Sequence, residues 1–298
     1  MKNKRIIEFD SKERILEKAR NYVDSVELFF EEGDKAIPLL LKAMKYADKD
    51  LKREIIFLLG SFAKEKVAWP LYDLLCDKSE DEDVRNHAAI QLSVIGPFLK
   101  DPQALLDQLL KDLESSDPEL RLHATFAVGW RGNLEAAIPL TERLYDSDIR
   151  VQQTAVNALC NLRDDRILNL LLERLEHGPI EQKRCILFNL WRFYSKQEEV
   201  TNIYLKYLEH ENADLRFDAL ACLRPVSEIR EYLEVYRKCL KDEDPRIRRL
   251  ALNRLAEEGG SGLLNLKGEI EALIDDPNME VKKAALETFK ILKKNKSI

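Results

Sequence analysis

The side chains best suited to metal or nucleophilic chemistry in this 298-residue chain are four histidines and five cysteines, and their spacing argues against both chemistries. Cys76, Cys160, Cys185, Cys222 and Cys239 are scattered, with no Cys-x-x-Cys pair. They read as reduced thiols and point to a cytoplasmic chain. His87 and His123 stand 36 residues apart, preceded by Asn86 and Leu122. A metal would need further ligands, and Cys185 lies far along the chain, so the expectation is a groove-lining pair rather than a metal site. Glu176-His177 and Glu209-His210 fall where helices should end, where an imidazole complements the helix dipole. There is no Gly-rich phosphate loop, no Gly-x-Ser-x-Gly and no His-Glu-x-x-His. No catalytic residue, metal or cofactor is therefore assigned.

Composition narrows the partners. The 48 Lys and Arg against 54 Asp and Glu leave a formal charge of −6. A nucleic-acid binder usually carries a basic excess to displace counterions from phosphates, so that role is disfavoured. Hydrophobic residues make up 45 % and charged residues 34 %, enough apolar material for a long core. No apolar run approaches the roughly 18 residues of a membrane span. Ile6-Ile7 alone do not make a signal-peptide core.

The elements that must position these side chains announce themselves as a repeat. Asp81-Glu-Asp-Val-Arg-Asn-His-Ala-Ala aligns with Asp117-Pro-Glu-Leu-Arg-Leu-His-Ala-Thr and Asp244-Pro-Arg-Ile-Arg-Arg-Leu-Ala-Leu. The same frame recurs at Asp48, Asp148, Ile180, Asn212 and Asn278. It sets anchors at Lys52, Arg85, Arg121, Gln152, Lys183, Arg216, Arg248 and Lys282, spaced by 33, 36, 31, 31, 33, 32 and 34 residues. In every repeat but the fifth, the Asp or Asn four residues before the anchor is placed to cap a helix. Residues three, four and seven after it, such as Ala88, Ala89 and Leu92, share one apolar face. Each such helix follows another amphipathic one, as in Ala36-Ile-Pro-Leu, Ala68-Trp-Pro-Leu and Ala137-Ile-Pro-Leu, with the proline expected near the helix start. Neither helix can bury its face alone, so the units must stack. Basic anchors are expected to form a ladder with the capping acids of neighbouring repeats.

The frame Asp-x-x-Val-Arg-x-x-Ala-Ala-x-x-Leu, preceded by Ala-Ile-Pro-Leu, resembles the HEAT-repeat family, in the short bacterial form also found in phycobilin lyase subunits. It covers about residues 35–294. The resemblance implies an all-α solenoid, a right-handed superhelix of about eight helix–turn–helix repeats. Residues 1–34 would supply an N-terminal capping helix, roughly Ser11 to Glu31, and residues 35–298 a single repeat array. Glu257-Glu-Gly-Gly-Ser-Gly262 reads as a loop. The fifth repeat diverges, with Gly178-Pro179 at the cap and Trp191 where Gly60 and Gly129 stand elsewhere.

The resemblance also implies that the second helix of each repeat lines the concave side. Helical geometry puts positions two, five and nine after each anchor opposite the core. In mid-array these are His87, Ile90, His123, Phe126, Trp130, Asn157, Asn161, Phe188 and Arg192. Exposed aromatic and Arg side chains have the composition of an interface; alternatively, Phe126 and Phe188 pack between adjacent helices. The expected function is a non-enzymatic scaffold that binds a protein or peptide there. An alternative is a lyase-like enzyme subunit handling a chromophore, with His87, His123 and Trp130 at a pocket. A DNA glycosylase-like reading would use Trp130, Arg192 and Asp218, but no motif aligns. Deoxyhypusine hydroxylase, another HEAT-repeat enzyme, holds iron with His-Glu pairs, and neither His87 nor His123 is followed by Glu.

Overall fold

A computed structural model describes residues 11–130, 132–223, 232–258 and 262–294. The start of the chain through Asp10, and residues 259–261 of the expected Glu257–Gly262 loop, lie outside the described residues. Contacts divide the chain into two compact units, Met1–Asp164 and Asp165–Ile298. The first contains α1 (Lys12–Asp24), α2 (Val26–Glu32), α3 (Ile37–Ala43), α4 (Lys49–Leu59), α5 (Glu65–Cys76), α6 (Glu82–Ile95), α7 (Pro102–Asp112), α8 (Pro118–Val128), α9 (Ala137–Arg143) and α10 (Ile149–Leu162). The second contains α11 (Arg166–His177), α12 (Ile180–Asn189), α13 (Gln197–Tyr207), α14 (Ala213–Cys222), α15 (Leu233–Cys239), α16 (Pro245–Glu258), α17 (Gly262–Asn265), α18 (Lys267–Ala272) and α19 (Met279–Lys294). No strand occurs among the described residues.

The caps lie where the repeat frame puts them. Asp48 accepts from the Leu51 amide at 2.9 Å, Asp81 from Asp83, Asp117 from Glu119 and Asp148 from Arg150. Asn212, Asp244 and Asn278 do the same for α14, α16 and α19. Pro179 cannot, and α12 starts without a side-chain cap. Behind every cap but the last, where Leu286 is exposed, the apolar face is packed. Ala88, Ala89 and Leu92 are buried, as are Ala251, Leu252 and Leu255. Small residues bring these helices close together: a Cβ on Gly129 would lie 2.6 Å from that of Ala158 on α10.

Two local expectations need correction. The N-terminal cap is two helices, because Ser25 leaves the helical region and its hydroxyl caps α2. Pro70 lies inside α5 rather than at its start, since that helix begins five residues earlier at Glu65.

The anchors do form a ladder, but its acceptors are mostly not the capping residues. Arg121 forks onto Asp146 with two 2.8 Å bonds, Arg216 onto Asp242 and Arg248 onto Asp276. Each acceptor lies two residues before the next repeat's cap and also takes that cap residue's amide N–H. The third arm of each guanidinium returns to the carbonyl six residues back, on Ser115, His210 or Asp242. The capping acid itself is occupied by its own helix and cannot serve both. Where the next repeat has Ser115 at the acceptor position, Arg85 instead reaches Glu119, in the first turn of α8. Lys52 pairs with Glu80. Gln152 makes the inward bond, to the Asp146 carbonyl at 2.6 Å. Burial raises the Asp146 and Asp276 carboxyls, but the guanidinium and amide donors outweigh it and hold both below the usual range.

Candidate protein-binding face

In the first unit α8 packs against both α6 and α10. Those two helices converge over α8. Arg150, in the first turn of α10, reaches Glu82, in the first turn of α6, at 3.5 Å. That pair spans a whole repeat, and it changes what the face can offer.

His123 is only 1 % exposed, so it does not line an open groove. Neither ring nitrogen has a partner among the described residues, and the Arg85 Nη2 is likewise buried and unmatched. Burial, reinforced by the Arg85 cation, pushes the ring's pKa down to about 4. Trp130 is 8 % exposed and lies against Gly96, where an added Cβ would come within 3.0 Å of the indole. Helical geometry misplaces it because α8 ends at Val128 and Gly129 turns the chain away. Arg192 is displaced for the same reason. The helix gives way to a 3-10 turn at Leu190–Arg192, and the guanidinium lies 5.4 Å from the Trp191 ring centre.

The other expected residues do reach the surface. Phe126 is 38 % and Phe188 47 % exposed, so neither is consumed by packing between helices. Ile90, Asn157, Asn161 and His87 are half-buried. His87 donates from Nδ1 to the Asp83 carbonyl at 2.7 Å and presents Nε2 to the Arg53 side chain at 3.4 Å. A carbonyl can only accept, so this geometry requires the Nδ1–H tautomer. The nine residues are split between the units: Phe188 and Arg192 lie in the second and the rest in the first.

Among the described residues, no group of three or more His, Cys, Asp and Glu converges as a metal site. Asp218 is buried and takes two bonds from Arg184, a structural arrangement unlike an open acid at a nucleotide pocket. A pocket built on His87, His123 and Trp130 is not open, because two of its three members are buried. All five cysteines are unbridged. No described helix is long and apolar enough to cross a membrane.

One exposed residue escapes the sequence-based site. Phe57, on α4, is 67 % exposed, the most open of the phenylalanines at position five. Its signal in the sequence is its place in the same column as Phe126 and Phe188; centring the groove on mid-array misses it.

Within each unit these features define paired helices that repeat the same cap and core pattern. A HEAT-repeat family model matches residues 37–113 and 102–185, and the chain belongs to that family. A homology model of the full-length AP-3 complex contains a chain that superposes with a TM-score of 0.56 at 16 % identity, over 93 % of this chain and 55 % of that one. A crystal structure of a Kap121p mutant superposes with a TM-score of 0.56 at 14 % identity, over 95 % of this chain and 35 % of that one. The complex of CpcE and CpcF of phycocyanin lyase from Nostoc sp. PCC7120 aligns at 17 % identity and a TM-score of 0.41, over 80 % of this chain and 94 % of that one. The chain thus spans 55 % of the length of its AP-3 match and 35 % of the Kap121p chain. At such identities the likeness is one of fold. No curated protein sequence matches the chain.

Proposed function

We propose that this chain is a non-enzymatic scaffold that engages a protein or peptide partner on the face formed by its second helices. The observation that carries this reading is that phenylalanine is exposed at the same repeat position in each unit: Phe57 and Phe126 in the first and Phe188 in the second. Exposing large aromatic rings at equivalent places costs solvation free energy, and surfaces of this kind mark interaction sites. Residence in the cytoplasm belongs to the same proposal and is supported by the five scattered thiols.

The test is affinity capture from the native organism with wild-type bait beside a Phe57→Ala, Phe126→Ala, Phe188→Ala variant. The expected outcome is one or more proteins recovered by the wild type and depleted at least tenfold by the variant. A variant that melts with the wild type and retains every partner at unchanged yield would overturn the reading.

A further inference from the structure

We infer that the first unit carries a docking groove for a peptide segment that is basic and apolar, centred on Phe57. The inference rests on the scaffold reading and specifies the partner's chemistry.

The groove has a volume of about 670 Å³ and lies where α1 and α2 meet the second helices α4 and α6. Its floor is apolar: Val23, Val26, Phe57 and Leu58. Val26 is well exposed, and Phe57 shows most of its ring to solvent. A ring two-thirds exposed gains free energy when a partner covers it.

The rim is acidic. Asp50 and Glu54 line it, and Asp24 and Glu27 are exposed on either side of Val26 in the chain. Glu54 is exposed and makes no hydrogen bond or ion pair among the described residues. The Asp50 side chain is 88 % exposed, with only Arg53 nearby at 3.7 Å. Among the described residues Arg53 is the one cation lining the groove, and it is already engaged. It lies 3.5 Å from Asp83 and donates to His87 Nε2. Among the described residues the lining therefore sets two carboxylates, Asp50 and Glu54, against one guanidinium that is shared with Asp83, beside an exposed aromatic ring. An acidic or neutral apolar segment would meet that rim at an electrostatic cost, whereas Lys or Arg side chains flanking an apolar anchor satisfy it. A cation near the Phe57 face gains a cation–π contact in addition. The groove is partly open to solvent rather than enclosed, which suits a length of chain better than a small molecule.

Fluorescence anisotropy on the full chain tests this with two labelled amphipathic peptides. One carries Leu on one helical face and Lys on the other; its counterpart carries Glu in place of Lys. The Lys peptide should bind, and Glu54→Lys and Phe57→Ala should each weaken it at least tenfold without moving the melting temperature, since both side chains are exposed. Glu173→Lys, an equal charge change on an exposed residue of the second unit, should leave binding within twofold. Equal weakening by Glu173→Lys would overturn the inference, because attraction would then follow net charge alone. So would equal binding of the Glu peptide, or no binding of the Lys peptide. Partners captured through Phe126 or Phe188 but indifferent to Glu54→Lys would remove this groove and leave the scaffold standing. Partners indifferent to every one of the phenylalanines would remove the scaffold reading itself, whatever the peptides do.

Discussion

Acidification should loosen the first unit at α8, and His123 sets the amount. The buried ring has a folded-state pKa of about 4 against an ordinary 6.5. The unfolded chain therefore takes up the proton first. Stability from this residue is complete above pH 6.5, declines as pH falls, and levels off below pH 4. The full difference of 2.5 pH units corresponds to about 3.4 kcal/mol. At pH 5 the penalty is already about 2 kcal/mol, a factor of roughly 30 in an opening equilibrium. The assay is hydrogen exchange of α8 amides at pH 7.5 and 5.0, corrected for intrinsic rates. Other groups titrate over the same range, so the comparison is with His123→Leu, whose side chain fills the site without a titratable ring. Wild-type protection should fall about thirtyfold more than that of the variant. If both lose protection equally between the two pH values, His123 is not a buried neutral ring and the reasoning fails.

Three further outcomes follow from the packing. Asp146→Ala should cost about 3–5 kcal/mol, because it leaves the nearly buried Arg121 guanidinium without its acceptor; a double-mutant cycle with Arg121→Met should recover much of that loss, and additive effects in denaturant titration would refute the pairing. Gly129→Ala should destabilise by about 1–3 kcal/mol, since its Cβ would overlap the Ala158 side chain and backbone; an unchanged melting temperature would count against the close approach of α8 and α10. Trp130→Ala should cost about 3–5 kcal/mol as a buried-core truncation, whereas Phe126→Ala or Phe188→Ala should cost less than about 1 kcal/mol; the opposite ranking in thermal unfolding would reverse their assignment to core and surface.

Most of the helix order was legible because its determinants are local. A cap, an anchor and an apolar pair within a dozen residues fix each second helix, so Asp48, Asp117 and Asn278 could be assigned from spacing. The ladder was half legible. Arg121 and Asp146, Arg216 and Asp242, and Arg248 and Asp276 lie 25, 26 and 28 residues apart. Their matched occurrence is visible once the acceptor position is known, but the capping Asp was the nearer and more conspicuous carboxylate. The site was less legible for two reasons. The 100° rule was carried past the ends of α8 and α12, where Trp130 and Arg192 no longer follow helical geometry. The burial of His123 depends on how closely α6 and α10 approach across α8, marked by Glu82 and Arg150, and no local pattern encodes a contact between alternate repeats.

The matched Arg and Asp side chains also govern how such an array can gain or lose units. An outward-projecting Arg is met by the next repeat either with Asp two places before its cap, as Arg121 by Asp146 and Arg216 by Asp242, or with an acid in the first turn, as Arg85 by Glu119. Excising the segment between two in-frame anchors joins one repeat's cation to another repeat's acceptor position. If the excision brings Arg121 against the repeat that carries His177 at that position, a guanidinium buried to the same degree meets an imidazole instead of a carboxylate. Recombination within the tandem sequence is therefore filtered by charge at each seam. An uncharged anchor such as Gln152 brings no guanidinium to such a seam and so escapes this filter.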